Sequence, residues 1–210
     1  MSDDLFMEHK LLLLDAGGVL TSPDTSARVA TEIAAKSGIS VQESMSVFLE
    51  LREPVWDGRE TEDQLWEQWW RQVGLSGQDL DAWKLFARKQ VRDLPGMVSI
   101  LAELSPSAQV WLLSNHCVWL RDHLRTSPMT PYLQRTFISS EIGACKPHPE
   151  AYRHVLGHWP HAPDRILFID DKLANLEAAS SLGLRTCLSD GTPDSWLAEA
   201  KSFLIQDHQE

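Results

Sequence analysis

Basic residues are in deficit: 19 Lys and Arg stand against 30 Asp and Glu in 210 residues, a formal net charge of -11. Binding to a phosphate backbone draws on clustered Lys and Arg. The composition therefore argues against nucleic acid as a partner and, for the same reason, against an anionic membrane surface. A small anion stays open, because a pocket on an acidic protein can be locally positive. Cysteine is scarce too. Cys117, Cys145 and Cys187 are an odd, scattered set without a C-x-x-C pair, which argues for reduced thiols in a cytoplasmic compartment. Long apolar runs are missing, and no stretch approaches the ~18 residues of a membrane span. Met1 to Lys10 contains Asp3, Asp4 and Glu8 and no signal-peptide pattern.

What is present is the make-up of a globular protein, 43% apolar and 23% charged. The length suits one domain of about 150 residues with an insert, or two small domains. The most informative stretch runs from Leu11 to Leu20. Its four consecutive leucines read as a strand buried on both faces, as at the centre of a parallel sheet. Asp15 then lies at the strand's carboxyl end, the edge where open α/β sheets bind ligands. Gly17 and Gly18 let the backbone turn sharply and approach a ligand closely. Alone, the segment reads equally as a core strand followed by a turn.

Beyond Leu20, Ser22-Pro23-Asp24 reads as a turn, and residues 21–92 look helical throughout. Val29 and Ile33, four apart with Ala30 and Ala34 beside them, give a first helix that Gly38 stops. Capping-box spacings at Ser40–Glu43 and Thr61–Gln64 open two more. Leu80, Trp83, Ala87, Val91 and Leu94 fall at helical spacing in a fourth. Five of the nine tryptophans lie in this block and read as the core of a small bundle, which needs bulky side chains to bury enough area. Trp56 is the exception. Val55 to Glu60 reads as an interhelical loop, either an ordinary exposed turn or one that reaches a substrate.

Pro95-Gly96 marks the return to an α/β body. After a helix from Met97 to Leu104, Ala108 to Leu113 is a second buried strand that ends in Ser114-Asn115. Hydroxyl, amide and free N–H groups at the mouth of a following helix make a phosphate cradle. Thr136 to Ile138 reads as a short third strand, and Gly143 to Pro147 puts Lys146 on a loop, a position that means little by itself. Arg165 to Ile169 is the fourth strand and ends in Asp170-Asp171. Adjacent carboxylates repel, so such a pair is better explained by a bound divalent cation than by packing. A helix over 173–182, a fifth strand near 186–188 and a last helix over 193–204 complete the chain.

The order Asp15, Ser114, Lys146 before Pro147, and Asp170-Asp171 resembles the haloacid dehalogenase-like (HAD) superfamily, with all four of its motifs present between Leu11 and Leu188. The helical block after the first motif is similar to the inserted cap of one subgroup. The resemblance implies an α/β fold: a Rossmann-like parallel sheet flanked by helices over 1–20 and 93–210, with an all-helical cap over 21–92. It implies a Mg2+-dependent hydrolase of a small phosphorylated metabolite, such as a sugar phosphate, that forms an aspartyl-phosphate on Asp15. Mg2+ would be held by Asp15, the carbonyl of Gly17, and Asp171 with Asp170 close behind. Ser114, the amide of Asn115 and Lys146 would bind the phosphoryl group. Specificity would lie in the cap, with Trp56, Arg59 and Glu60 as candidates. The cap would open and close about the connections 20–23 and 92–95.

One position departs from that pattern. Family phosphatases usually carry a second aspartate two residues after the nucleophile, a general acid/base worth about 10²–10⁴ in rate; here Gly17 stands in its place. Three readings follow. The leaving group needs little protonation, as in anomeric sugar phosphates or acyl phosphates; His116 or His148 transfers the proton; or the chain is a non-catalytic phosphate-sensing or partner-binding module. A 2-haloacid dehalogenase also lacks the second acid, but works without metal and would leave Asp170-Asp171 without a purpose.

Overall fold

The computed structural model describes residues 10–206. The acidic start, residues 1–9, and the last four residues lie outside the described part. Five strands form one fully parallel sheet in the order β3-β2-β1-β4-β5. In chain order, β1 is Leu11–Leu14 and is followed by four helices: α1 Thr25–Ser37, α2 Val41–Trp56, α3 Glu62–Gln72 and α4 Leu80–Gln90. Then come α5 Met97–Leu104, β2 Gln109–Ser114, α6 Trp119–Thr126, β3 Arg135–Ile138, α7 Ser139–Ile142 and α8 Pro149–Leu156. The chain closes with β4 Ile166–Asp170, α9 Leu173–Ser181, β5 Arg185–Leu188 and α10 Asp194–Ile205. No helix among the described residues is long and apolar enough to cross a membrane.

β1 lies at the centre, paired with β2 on one side and β4 on the other. Successive side chains on a strand point to opposite faces, so the leucine run feeds two cores at once. Leu12 and Leu14 join Val110, Leu112, Leu167 and Ile169 under α5 and α10. Leu11 and Leu13 join Trp111, Leu113 and Phe168 under α8 and α9, where Tyr152 and Leu176 complete the packing. All four leucines are fully buried, each worth about 1.5–3 kcal/mol. Lys10, just before the strand, donates its Nζ to the carbonyl of Phe203 at 2.6 Å and so caps the end of α10.

The four helices between β1 and α5 have a core of their own, built on Ile33, Phe48, Trp66, Trp69, Trp70 and Trp83, which Cys117 and Trp119 join from the sheet side. Both capping boxes form: Ser40 with Glu43 at the start of α2, and Thr61 with Gln64 at the start of α3. The two connections to the sheet run side by side. Ser22 N–H donates to the Arg92 carbonyl at 2.8 Å and Leu94 N–H to the Leu20 carbonyl at 2.9 Å.

Three local expectations differ from the structure. Helix α2 does not end before Val55; it carries Pro54 inside it and continues to Trp56. Pro54 cannot donate the usual helical hydrogen bond, yet Val55 is 1% exposed, and that burial holds the last turn. Leu94, which reads as part of the fourth helix, lies beyond it, because Val91 is already extended and the chain turns to pair with residues 20–22. Helices α7 and α8, which no pattern in the sequence marked, bracket the Lys146 loop.

Candidate active site

The site assembles where β1, β2 and β4 end. Asp15 continues the strand pairing by one residue, its N–H donating to the Ile169 carbonyl at 2.9 Å. The chain then folds back on itself, since the Ala16 carbonyl accepts from the N–H groups of Leu20 and Thr21 at 2.9 and 2.8 Å. The two glycines of this loop have opposite surroundings. Gly18 has φ 76° and a Cβ there would sit 2.8 Å from Asp171 Cβ, so only glycine lets the loops after β1 and β4 press together. A Cβ on Gly17 would meet nothing within 4 Å.

Lys146 is the hub. Its ammonium, 1% exposed, lies 2.9 Å from Asp15 Oδ1 and 2.6 Å from Asp170 Oδ2. Burial works against its charge, but the two carboxylates prevail and hold its pKa above the ordinary lysine value. Its loop is fixed by Asn115, whose side chain donates to the Lys146 carbonyl at 2.6 Å and accepts from the Lys146 N–H at 2.7 Å. Asp170, fully buried, also accepts from Asn175 Nδ2 at 2.9 and 3.0 Å and from the Lys172 N–H at 2.8 Å.

Asp171 is different. Its Oδ1 is buried and accepts no hydrogen bond, the ammonium of Lys172 being 3.8 Å away. Burial is the main cause that raises its pKa. Asp15, Asp170 and Asp171 each offer an oxygen within 4.8 Å of the others. Three hard oxygen donors in that space, one of them without a hydrogen bond, suit a small divalent cation.

The carboxylates form one end of a cavity of about 300 Å³ whose wall reaches into the helical layer. Asp15, Gly17, Ser114, Asn115, Lys146 and Asp171 all line it, whereas Asp170 stands behind Lys146. Trp56 lines it as well. Arg59 and Glu60 do not: Arg59 is exposed and pairs with Asp57 at 2.7 Å, and Glu60 accepts from Gln68 at 2.8 Å. His116 lines the cavity. Burial lowers its pKa to about 4, so the ring is neutral at pH 7. Its Nδ1 lies 3.1 Å from the Cys117 carbonyl. His148 is exposed at the start of α8, away from the cavity. Two contributors escaped the sequence reading, Asn175 and Arg52. Asn175 had a signal, being a polar residue on the same helix face as Leu176 and Ala179, all buried.

A carboxylate beside a buried lysine, with two more acids at the carboxyl edge of a parallel sheet, is a cluster of interacting ionisable groups at the edge where open α/β sheets bind ligands. The model of the haloacid dehalogenase-like hydrolases matches residues 9–183, and the chain belongs to that family. It is 25% identical over 207 residues to D-ribitol-5-phosphate phosphatase of Bacteroides thetaiotaomicron, covering 93% of this chain and 98% of that protein. It is 33% identical over 110 residues to flavin mononucleotide hydrolase 1 of Arabidopsis thaliana, a match that spans 50% of this chain and 44% of that relative. Among solved structures, a HAD family enzyme of Bacteroides thetaiotaomicron in complex with magnesium and inorganic phosphate superposes with a TM-score of 0.67 at 24% identity, covering 85% of this chain and 93% of that one.

Proposed function

We propose that the chain is a Mg2+-dependent phosphatase of small phosphomonoesters, with Asp15 as nucleophile and α1–α4 as a cap over the site. The observation that carries this is the Lys146 ammonium held between Asp15 and Asp170 at 2.9 and 2.6 Å, beside the unpartnered oxygen of Asp171. The magnesium- and phosphate-bound relative and the two phosphate-ester hydrolases among the curated relatives support it.

Attack on phosphorus needs an anionic oxygen to approach an anionic group, so the charge must be cancelled locally. When bound, Mg2+ would be held by Asp15, the Gly17 carbonyl and Asp171, and would neutralise charge on the phosphoryl oxygens. Lys146 pairs with Asp15 at 2.9 Å and supplies a second positive charge. Ser114 and the backbone N–H of Asn115 donate to the phosphoryl oxygens, while the side chain of Asn115 is spent on the Lys146 loop. Asp15 forms the P–O bond as the ester P–O bond breaks, and water then cleaves the aspartyl-phosphate. With glycine at position 17 and neutral His116 the sole histidine on the cavity wall among the described residues, the leaving group departs with little protonation.

The test is release of phosphate from p-nitrophenyl phosphate with and without Mg2+, with 2-chloropropionate in parallel. Magnesium-dependent release that vanishes in Asp15→Asn is expected, by about 10⁴-fold or more. Chloride release that survives a chelator overturns the reading.

A further inference from the structure

The wall that the helical layer gives the cavity is aromatic, lined by Phe48, Trp56, Trp66 and Trp69. Arg52 stands on the same wall, one helical turn before Trp56, with its guanidinium 4.5 Å over the Trp56 ring. Other arginines near the site are paired: Arg28 with Asp24, Arg88 with Glu62 and Arg121 with Glu141. Arg52 is half-buried, and no hydrogen bond or ion pair holds its guanidinium among the described residues. Its neighbour Glu53 is exposed. A desolvated cation without an acceptor is costly, and the planar fork of arginine pairs bidentately with a carboxylate or a phosphate; with the phosphate placed at Asp15, a carboxylate is the anion left for Arg52.

We propose that Arg52 and Trp56 form the leaving-group subsite and select phosphomonoesters whose leaving group is a planar ring bearing a carboxylate. The ring stacks among the indoles and its carboxylate meets the guanidinium edge. This rests on the phosphatase reading above and adds the substrate class to it. A cavity of about 300 Å³ is at the small end of ligand pockets, room for a one-ring or two-ring body beside the phosphate. Gly17 offers no side-chain acid after the nucleophile, which suits a leaving group that departs with little protonation. When the ester P–O bond breaks, its electron pair goes to an aryl oxygen, which is stable as a phenoxide and takes its proton from water afterwards.

The experiment compares 4-carboxyphenyl phosphate, phenyl phosphate and glycerol 3-phosphate. Binding is read by tryptophan fluorescence in Asp15→Asn with Mg2+, and turnover in the unaltered protein. The carboxylated ester should bind at least about tenfold tighter than phenyl phosphate. Arg52→Met should erase that margin and Arg52→Lys, which keeps charge without the fork, should retain part of it. A structural role for Arg52 would weaken both aryl esters alike, and that result, or equal affinities at the outset, overturns the proposal. A binding margin without phosphate release from any ester sustains the subsite and removes the phosphatase reading. Release from all three esters with equal kcat/KM does the reverse.

Discussion

At the sheet end of the cavity Lys146 lies between two carboxylates, Asp170 accepts from three residues, and Asn115 locks the Lys146 loop from both sides. At the helical end Arg52 lies over the face of Trp56 with no hydrogen bond to its guanidinium among the described residues, and the wall is a set of rings such as Trp66 and Trp69, whose centroids are 5.8 Å apart. The first end is fixed by directional bonds in a dry setting, where each misplaced atom is expensive. The second is fixed by shape and area, which tolerate change. The proposed function puts the chemistry that is the same for every substrate at the first end and recognition of a particular leaving group at the second.

Breaking the sheet end should have the largest effect. Lys146→Met leaves Asp170 buried without its cation and should lower unfolding free energy by about 3–5 kcal/mol, measured by urea denaturation without Mg2+, with turnover lost as well. Breaking the helical end should cost stability and spare the chemistry. Trp70 is buried against Trp66 and Trp83 but does not line the cavity. Trp70→Ala should therefore cost about 3 kcal/mol while kcat on p-nitrophenyl phosphate changes much less than in Lys146→Met.

Two smaller effects sharpen the boundary between the ends. Gly17→Asp places a carboxyl group in open space and should raise turnover on alkyl esters by about 10²-fold, within the usual yield of a general acid, and by far less on aryl esters. Equal gains on both would show that position 17 is not where an acid is missing. His116 sits where the ends meet. Its pKa falls from 6.5 unfolded to about 4 folded because of burial, so the unfolded chain binds the extra proton between those values. Stability should therefore fall as pH drops from 6.5 towards 4. His116→Gln should lose less over that window than the unaltered protein in pH-dependent urea melts.

The same contrast governs how much could be read from the sequence. Asp15, Ser114 and Asp170-Asp171 each sit at the end of a recognisable strand, so the parallel sheet and the cluster of acids were legible from apolar runs and their last residues, whereas Lys146 gained meaning only from the order of the motifs. The capping boxes at Ser40 and Thr61 were legible because a cap is a local hydrogen-bonding pattern. The helical end was legible only as a tryptophan-rich bundle. Arg52 carries no signal in the sequence because reading Val55 to Glu60 as a loop puts Trp56 outside the helix and separates the two residues that α2 stacks one turn apart. Arg59 and Glu60 were favoured as loop residues, yet they turn to Asp57 and Gln68. Which face of a helix meets a cavity depends on packing between elements, and no spacing within one element encodes it.

In the proposed reaction Asp15 becomes covalently phosphorylated in a site completed by Mg2+. Reductive trapping with borohydride during turnover of p-nitrophenyl phosphate, followed by peptide mass spectrometry, tests it directly. The expected result is conversion of Asp15 to homoserine when Mg2+ is present and none when it is chelated. Steady phosphate release with Asp15 unmodified, or modification at another carboxylate, would contradict it.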